Sequence, residues 1–367
     1  MPFWKSIISR FFRKPTEKPF PFNRLPDVAR IIIIRKMDGV EQVKLALSSK
    51  RMGQYMRIAM IRNYDYCQIK IEKDDFTIDL KHSVLPTKNE ISIMGFQETT
   101  NLIGKDLKPG LNEDSSVAEN AVTVLKRLQA AFPCKETGVI FIDNTPAVIK
   151  HVLDALGDLV YVSLGSTNPE TEAVDLVMDS CKKGREIALD VPEMPLDYSH
   201  PNAFKFNIIY YYDARWVRLE HLFSMGEIRS VHFEKNNLKC EDLNALLKYW
   251  TTSDERMTRV LKFPITEEAN IQERSLFEGL IFLKTVIGGK HVRLLANKRK
   301  QFTIYVSWTD KYFKIWTYSP NDSPPVGNEA PLDREYRILE ILKIKRIWKM
   351  IWRTKRIGRT LEMRLDN

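Results

Sequence analysis

The sequence predicts a mixed α/β fold, in which a small helical module precedes a repeat-like βα body that ends in an antiparallel meander. Three observations predict it. Residues 22–62 carry helical signals, strand-like and helix-like segments alternate over residues 138–264, and strand-like runs alone continue to residue 318. Alternation favours parallel strands with crossover helices, whereas consecutive strand-like runs favour antiparallel pairing.

The charge of the chain lies at its ends. The 367 residues suffice for more than one core, and the formal charge is +10. Residues 1–24 hold six Lys/Arg and one acid, residues 331–367 hold eleven and five, and 40 basic and 41 acidic residues remain between them. Binding to phosphates needs basic residues concentrated on a folded surface, so no nucleic-acid partner is expected.

The cysteines and the apolar runs point to a reducing compartment. Cys67, Cys134, Cys181 and Cys240 lie far apart without a CxxC pair, which fits neither a disulfide framework nor a zinc site. The first residues lack the continuous apolar core of a signal peptide, and no run is long enough for a membrane span. We expect a cytoplasmic and/or nuclear protein without a metal or cofactor.

The module at residues 22–62 reads as two or three short helices. Pro26 suits a first helical turn, and Asp38 with Glu41 forms an acidic variant of the capping box. Residues Ile31–Ile34 fit a strand by propensity. Context favours a helix that is apolar all round, and such a helix needs a partner or the rest of the chain to cover its second face.

The connecting region, residues 63–137, begins with three strand-like runs: YCQIKI, FTIDL and EISIMGF. A helix follows around AENAVTVLKRLQAAF, with Ser115 or Ser116 as its N-cap.

The body, residues 138–318, repeats one βα unit. Strand centres recur at Ile140, Tyr161, Ile187, Ile208, Val231 and Val260. These spacings of about 20 to 30 residues are near those of leucine-rich-type repeats, although no strict LxxLxL motif is present. A leucine-rich-repeat-like stack is favoured, and a closed or doubly wound sheet stays possible. The runs HVRLLAN, QFTIYVSW and YFKIWTYS then predict the meander.

Three terminal segments remain: a basic extension over 1–21, a linker over 319–332 and a basic amphipathic helix over 333–367. The last of these fits an anionic membrane surface, a nuclear-import or partner-binding tail, or a helix packed on the body.

The string FNRLPDVARIIIIRKMDGVEQVKLALSSKRM resembles the F-box of the large nematode F-box families. The resemblance is carried by Leu25-Pro26, the apolar helix that ends at Met37-Asp38, and the run Leu47–Arg51. It implies docking on a Skp-type adaptor, which in turn binds the cullin-RING ligase. The residues that it implies at the adaptor are Leu25, Pro26, Ile33, Met37, Val43, Leu47 and Ser49.

Two residues depart from this pattern. Gly39 stands where proline is usual, and Gln42 stands where an apolar residue is usual. Both departures are expected to weaken docking.

A second stretch, VHFEKNNLKCEDLNALLKYWTTSDERMTRVLKF, is similar to the type 2 F-box-associated domain, which we place at about residues 205–310. Asp242-Leu243-Asn244, Leu246-Leu247-Lys248 and Trp250 carry that similarity. From the residues themselves, we expect Trp216 and Trp250 to pack in the core.

The expected function is substrate recognition in an SCF-type ubiquitin ligase, without catalytic residues in this chain. The F-box would bind the adaptor and the body an unknown protein substrate, so that the rate gain is one of effective concentration. The six histidines are dispersed and offer no usual catalytic spacing. Two alternatives remain: an F-box-derived interaction module without ligase function, and an α/β enzyme whose catalytic residues converge in the fold.

Overall fold

A sheet of 13 strands runs through the part of the chain that the computed structural model describes. The described residues are 22–59, 64–83, 96–167, 170–180, 182, 184–226, 228–253, 258–265, 271–284, 290–294, 303–309 and 311–318. They belong to one unit, Met1–Val84 with Phe96–Pro320. The predicted extension, linker and C-terminal helix lie outside the described residues, as does Cys181.

Three helices form the N-terminal module: α1 (Asp27–Ile34), α2 (Gly39–Ser48) and α3 (Lys50–Ala59). The isoleucine run is therefore helical, as predicted against its strand propensity. The predicted capping box is confirmed at the start of α2. The amide of Glu41 donates to Asp38 Oδ1 at 2.8 Å, and the amide of Asp38 donates to Glu41 Oε2 at 3.1 Å.

The connecting region adds three strands to the sheet: β1 (Tyr64–Ile71), β2 (Phe76–Ser83) and β3 (Phe96–Leu102). β1 and β2 confirm the strands predicted at YCQIKI and FTIDL. Of the third predicted run, EISIMGF, only Phe96 is among the described residues. Polar residues dominate β3, which ends the strand order beside β2. A terminal strand needs no two-sided apolar pattern, which explains why the sequence did not reveal it.

Two helices follow β3: the short α4 (Gly104–Leu107) and the long α5 (Val117–Ala131). Ser116 is the N-cap of α5 and accepts a hydrogen bond from Glu119, so the second of the two predicted caps is the one used.

The body contains six parallel strands that lie side by side in chain order. Among these six strands the order does not reverse, whereas β1 lies beside β4 with β2 and β3 beyond it, so the strand order reverses between β1 and β4. The elements are β4 (Cys134–Ile142), α6 (Pro146–Leu156), β5 (Tyr161–Gly165), α7 (Thr171–Asp179), β6 (Glu186–Asp190), β7 (Ile208–Asp213), α8 (Leu219–Ser224), β8 (Ser230–Lys235), α9 (Cys240–Thr252) and β9 (Val260–Pro264).

The predicted antiparallel meander is confirmed. The elements are α10 (Glu273–Leu276), β10 (Phe282–Lys284), β11 (Lys290–Leu294), β12 (Thr303–Trp308) and β13 (Tyr312–Tyr318). β13 returns to pair with β9, and β1 pairs in parallel with β4, so meander, body and connecting region share one sheet.

The core lies between the sheet and the crossover helices. Trp216 and Trp250 are both buried, which confirms that they pack in the core. Right-handed crossovers between consecutive parallel strands place their helices on one face of a sheet. No helix of the described part of the chain is long and apolar enough to cross a membrane.

Candidate functional site

Four of the seven side chains predicted at the adaptor belong to the chain's own core. Val43 and Leu47 are fully buried, and Ile33 and Met37 are 8% and 7% exposed. This corrects the expectation that they face a partner. The physical reason is that the rest of the chain supplies the second apolar face that the module needs, because α2 and α3 pack against α5.

The other three predicted residues lie nearer the surface. Leu25 is half-buried against the core, and Pro26 is exposed at the N-cap of α1. Ser49 is exposed as well, but its hydroxyl accepts a hydrogen bond from the amide of Met52 at 3.2 Å. Ser49 therefore serves as a cap for α3.

An open apolar face remains on α1. Val28 is 70% exposed and Ile32 is 45% exposed. Their spacing of four residues places them one above the other on a helix, next to exposed Pro26. We call Leu25, Pro26, Val28 and Ile32 the α1 face.

Sequence reasoning missed Val28 and Ile32, although a signal for them was present. The buried residues of α1 are Arg30, Ile33 and Ile34, at the spacing of one helical stripe. Val28 and Ile32 lie outside that stripe and stay exposed, whereas Ile31 is half-buried against the core.

A buried arginine fixes the orientation of α1. Arg30 is 6% exposed and forms an ion pair with Asp27. Its guanidinium carbon lies 4.4 Å from the centre of the Tyr55 ring on α3, and the Tyr55 hydroxyl donates to Asp27 Oδ1 at 3.1 Å. These contacts hold α1 on α3 with the α1 face turned outward.

Gly39 and Gln42, the two departures from the F-box pattern, lie on the inner side of the module. A Cβ atom at Gly39 would stand 2.6 Å from Thr100 Oγ1 of β3, so the approach of β3 favours glycine there. Gln42 is buried, and its amide donates to the carbonyl oxygens of Ile34 and Met37, both at 3.1 Å. Both residues therefore serve internal packing.

Polar contacts attach the module to the connecting region. Arg127 Nη2 donates to the carbonyl oxygen of Leu47 at 2.5 Å, and Lys44 Nζ lies 2.8 Å from Asp106 Oδ1. The module and the connecting region therefore share interactions. Binding experiments on the module need the full chain for this reason.

The residues that resemble the F-box-associated domain have structural roles in α9. Leu243, Leu246, Leu247 and Trp250 are buried. Asp242 accepts from the amide of Lys239 at 2.9 Å, and Asn244 donates to the carbonyl oxygens of Leu276 and Glu278. This stretch secures α9 to the segment before the meander.

A cavity of about 500 Å³ opens at the carboxyl ends of β4 and β5. Its lining includes Lys73, Asp143, Ser166 and Thr167. Asp143 adopts a left-handed φ of 49°, and a hydrogen bond from the amide of Thr167 lowers the pKa of its carboxyl group. The lining residues offer hydroxyl, carboxylate and ammonium groups to a ligand, and the Thr167 hydroxyl donates a hydrogen bond to Asp143 Oδ1 at 3.2 Å.

His200, His221 and His232 are not among the residues that line this cavity. His200 Nε2 lies 3.3 Å from Asp179 Oδ1, and His232 Nε2 lies 3.0 Å from Glu234 Oε1. Partial burial lowers the pKa of His221, which stacks on the half-buried Phe204. Within the described ranges, no three His, Cys, Asp or Glu side chains are grouped so as to hold a metal ion.

Comparison with known proteins finds a distant relative. No family model matches the chain, and no solved structure matches it. The chain is similar to the uncharacterized protein F59B2.8 of Caenorhabditis elegans, with 21% identity over 286 residues. The match covers 71% of this chain and 64% of that protein, so the chain spans less than two thirds of its relative. At this identity the relation assigns no family.

Proposed function

We propose that this chain is the substrate-recognition subunit of an SCF-type ubiquitin ligase, which binds a Skp-type adaptor through the α1 face. In this proposal the sheet-based body binds a protein substrate, and the adaptor links both to the cullin-RING ligase. The chain acts by raising the effective concentration of the substrate at the ligase. Cytoplasm and nucleus are the proposed locations, where the thiols of Cys67, Cys134 and Cys240 stay free.

The observation that carries the proposal is the exposure of Val28 and Ile32. The resemblance to the F-box begins at the same place, with Leu25-Pro26 immediately before α1. Exposing two branched apolar side chains one turn apart gives the chain no folding energy, whereas burying them in a partner stabilises a complex by about 1.5–3 kcal/mol each. The α1 face therefore replaces the docking set that the pattern alone implied.

Binding to a purified Skp-type adaptor tests the proposal. The full-length chain with Val28→Asp and Ile32→Asp is measured against the unchanged chain by calorimetry. We expect a loss of affinity of at least about 100-fold, since two apolar contacts of that size are removed and two charges are buried in their place.

Leu196→Asp is the matched control, because Leu196 is also apolar and 59% exposed but lies in the body. It is expected to bind as the unchanged chain does. Equal binding by the α1-face variant, or no binding by the unchanged chain, contradicts the proposal. Circular dichroism and thermal melting establish that each variant is folded.

The alternative of an interaction module without ligase function was motivated by Gly39 and Gln42. Because both residues face inward, they supply no reason for weak docking. Co-purification separates the two functions: adaptor recovered with cullin supports the ligase, and adaptor recovered without cullin supports the alternative.

A further inference from the structure

The cavity at the carboxyl ends of β4 and β5 lies where the strand order reverses. β1 and β4 are parallel neighbours, but the chain leaves β1 toward β2 and leaves β4 toward β5, on opposite sides of the pair. In open α/β sheets such a point leaves a crevice outside the carboxyl ends of the strands, where ligands bind. The volume of about 500 Å³ is within the range of small-molecule sites. Position and volume therefore both indicate a ligand site.

The inner wall of the cavity is apolar. Leu164 of β5 is fully buried and Ala173 of α7 is 3% exposed, and both line the cavity. Pro146 and Val148, in the first turn of α6, are half-buried and add to this lining. Such a wall favours a ligand with an aliphatic carbon chain, because burial of apolar surface drives its binding.

The charged residues of the lining stand at its exposed rim. Lys73 follows β1, Asp143 follows β4, and Glu170 lies between β5 and α7, and all three are exposed. They follow one another across the sheet as one cation and then two carboxylates, over two strand spacings of about 5 Å each. Opposite charges at the two ends of a cavity suit a ligand that carries both an anionic and a cationic group.

The charges at the two ends of the rim are available to a ligand. The side chains of Lys73 and Glu170 form no ion pair with another residue in the described part of the chain. Glu170 is the N-cap of α7, but its side chain makes no capping hydrogen bond. Helix capping therefore does not explain its carboxylate.

The carboxylate of Asp143 is held in place between these two residues. The backbone amide and the hydroxyl of Thr167 donate to Asp143 Oδ1 at 2.9 and 3.2 Å. The hydrogen bond from this amide, together with those from the Thr167 and Ser166 hydroxyls, lowers the pKa of Asp143, so its carboxyl group is ionised at neutral pH. A carboxylate accepts about four hydrogen bonds, which leaves acceptor sites for a ligand.

We propose that this cavity binds a free basic α-amino acid of the arginine or lysine type. The carboxylate of the amino acid would meet Lys73, its α-ammonium group would meet Asp143, and its side-chain cation would meet Glu170. The aliphatic part of its side chain would lie on Leu164 and Ala173. The inference is independent of the proposed function, since it concerns a small-molecule site and not the docking of an adaptor.

The lining disfavours other classes of small ligand. A phosphate or a nucleotide would meet the carboxylates of Asp143 and Glu170, with Asp74 and Asp75 next to Lys73 in the chain. Among the described residues that line this cavity, none is aromatic and able to stack on a base. A neutral polyol would leave all three charged groups without a counter-charge, and a polyamine would bring a like charge to Lys73.

Calorimetry with L-arginine and with L-lysine on the full-length chain tests the proposal. We expect saturable binding with a Kd below about 1 mM. Asp143→Asn plus Glu170→Gln should weaken it at least about tenfold, because both cationic groups of the ligand lose their counter-charge. Asparagine keeps an acceptor for the Thr167 amide and tolerates the left-handed backbone of this position, so the variant is expected to fold.

The matched control is Glu113→Gln plus Asp114→Asn. Both acids are exposed in the loop before α5, outside the lining of the cavity, and the change in net charge is the same. The control should change the affinity less than about twofold. Glu170→Gln alone repeats the test if the double variant fails to fold.

Two arginine analogues separate the contacts. Agmatine lacks the carboxylate and Nα-acetylarginine lacks the α-ammonium group, so each should bind at least about fivefold more weakly than arginine. Lys73→Met should weaken the binding of arginine at least about fivefold without weakening that of agmatine, because agmatine has no carboxylate to meet Lys73.

Three outcomes overturn the proposal: no saturable binding of either amino acid below about 1 mM, equal binding by the cavity variant, and tighter binding of agmatine or of adenosine monophosphate than of arginine. The assay contains no adaptor. Loss of adaptor binding therefore disproves the proposed function alone, and absence of amino-acid binding disproves this inference alone.

Discussion

Helices α1 and α9 both carry large apolar side chains, yet the chain covers those side chains differently. In α9, which lies in the crossover between β8 and β9, Leu243, Leu246, Leu247 and Trp250 are all buried. In α1, Ile33 and Ile34 are buried, while Val28 and Ile32 remain exposed. The comparison teaches that apolar content alone does not say whether the chain or a partner covers a helix. The packing of neighbouring elements decides it.

The largest expected effect compares a buried residue of α9 with an exposed residue of α1. Trp250→Ala should lower the free energy of unfolding by about 3–5 kcal/mol, because it empties a fully buried site. Ile32→Ala should change it by less than about 0.5 kcal/mol, since the side chain is 45% exposed. Urea unfolding measures both, and equal losses would remove the difference between the two helices.

A smaller effect tests whether the buried residues of the module stabilise the fold of this chain. Gln42→Leu introduces the apolar residue that is usual in the F-box pattern, but leaves the carbonyl oxygens of Ile34 and Met37 without its amide. We expect a loss of about 1–3 kcal/mol in unfolding free energy. Gln54→Leu, an exposed site on α3, is the control and should be near neutral. A gain in stability from Gln42→Leu would show that the amide is dispensable.

The smallest expected effect concerns the pKa of His232, which lies beside Lys262 in the sheet. Lys262→Met should raise the pKa of His232 toward its usual 6.5, because it removes a nearby positive charge. Nuclear magnetic resonance titration of the His232 ring measures the shift. Lys126→Met on α5 should leave the pKa unchanged, and an equal shift in both variants would contradict the local origin of the field.

The same lowered pKa fixes the sign of a pH effect on stability. Below pH 6.5 an unfolded chain protonates this histidine before the folded chain does. His232 therefore contributes a loss of stability as pH falls from 7 through 6.5 toward its folded pKa.

Local patterns predicted most of the elements. The Asp38–Glu41 cap, the helical isoleucine run, the parallel order of β4–β9 and the meander all follow from neighbours in the chain. The predicted docking set fared differently, since Val43 and Leu47 are buried while Val28 and Ile32 are exposed. Burial in the module depends on α5, which lies about 80 residues later in the chain, as the contact of Arg127 with Leu47 illustrates. The F-box-like string alone carries no information on the contact between the module and α5.

The sequence by itself determined most of the helices and strands, because capping, periodicity and propensity act between residues that are close in the chain. Tertiary structure alone decided which apolar faces stay open and which side chains become neighbours. The pairing of Lys262 with Lys314 and the exposure of Val28 beside buried Ile33 are such decisions. Their physical reason is that strand register and helix packing are set by burial of the whole core, which no single segment encodes.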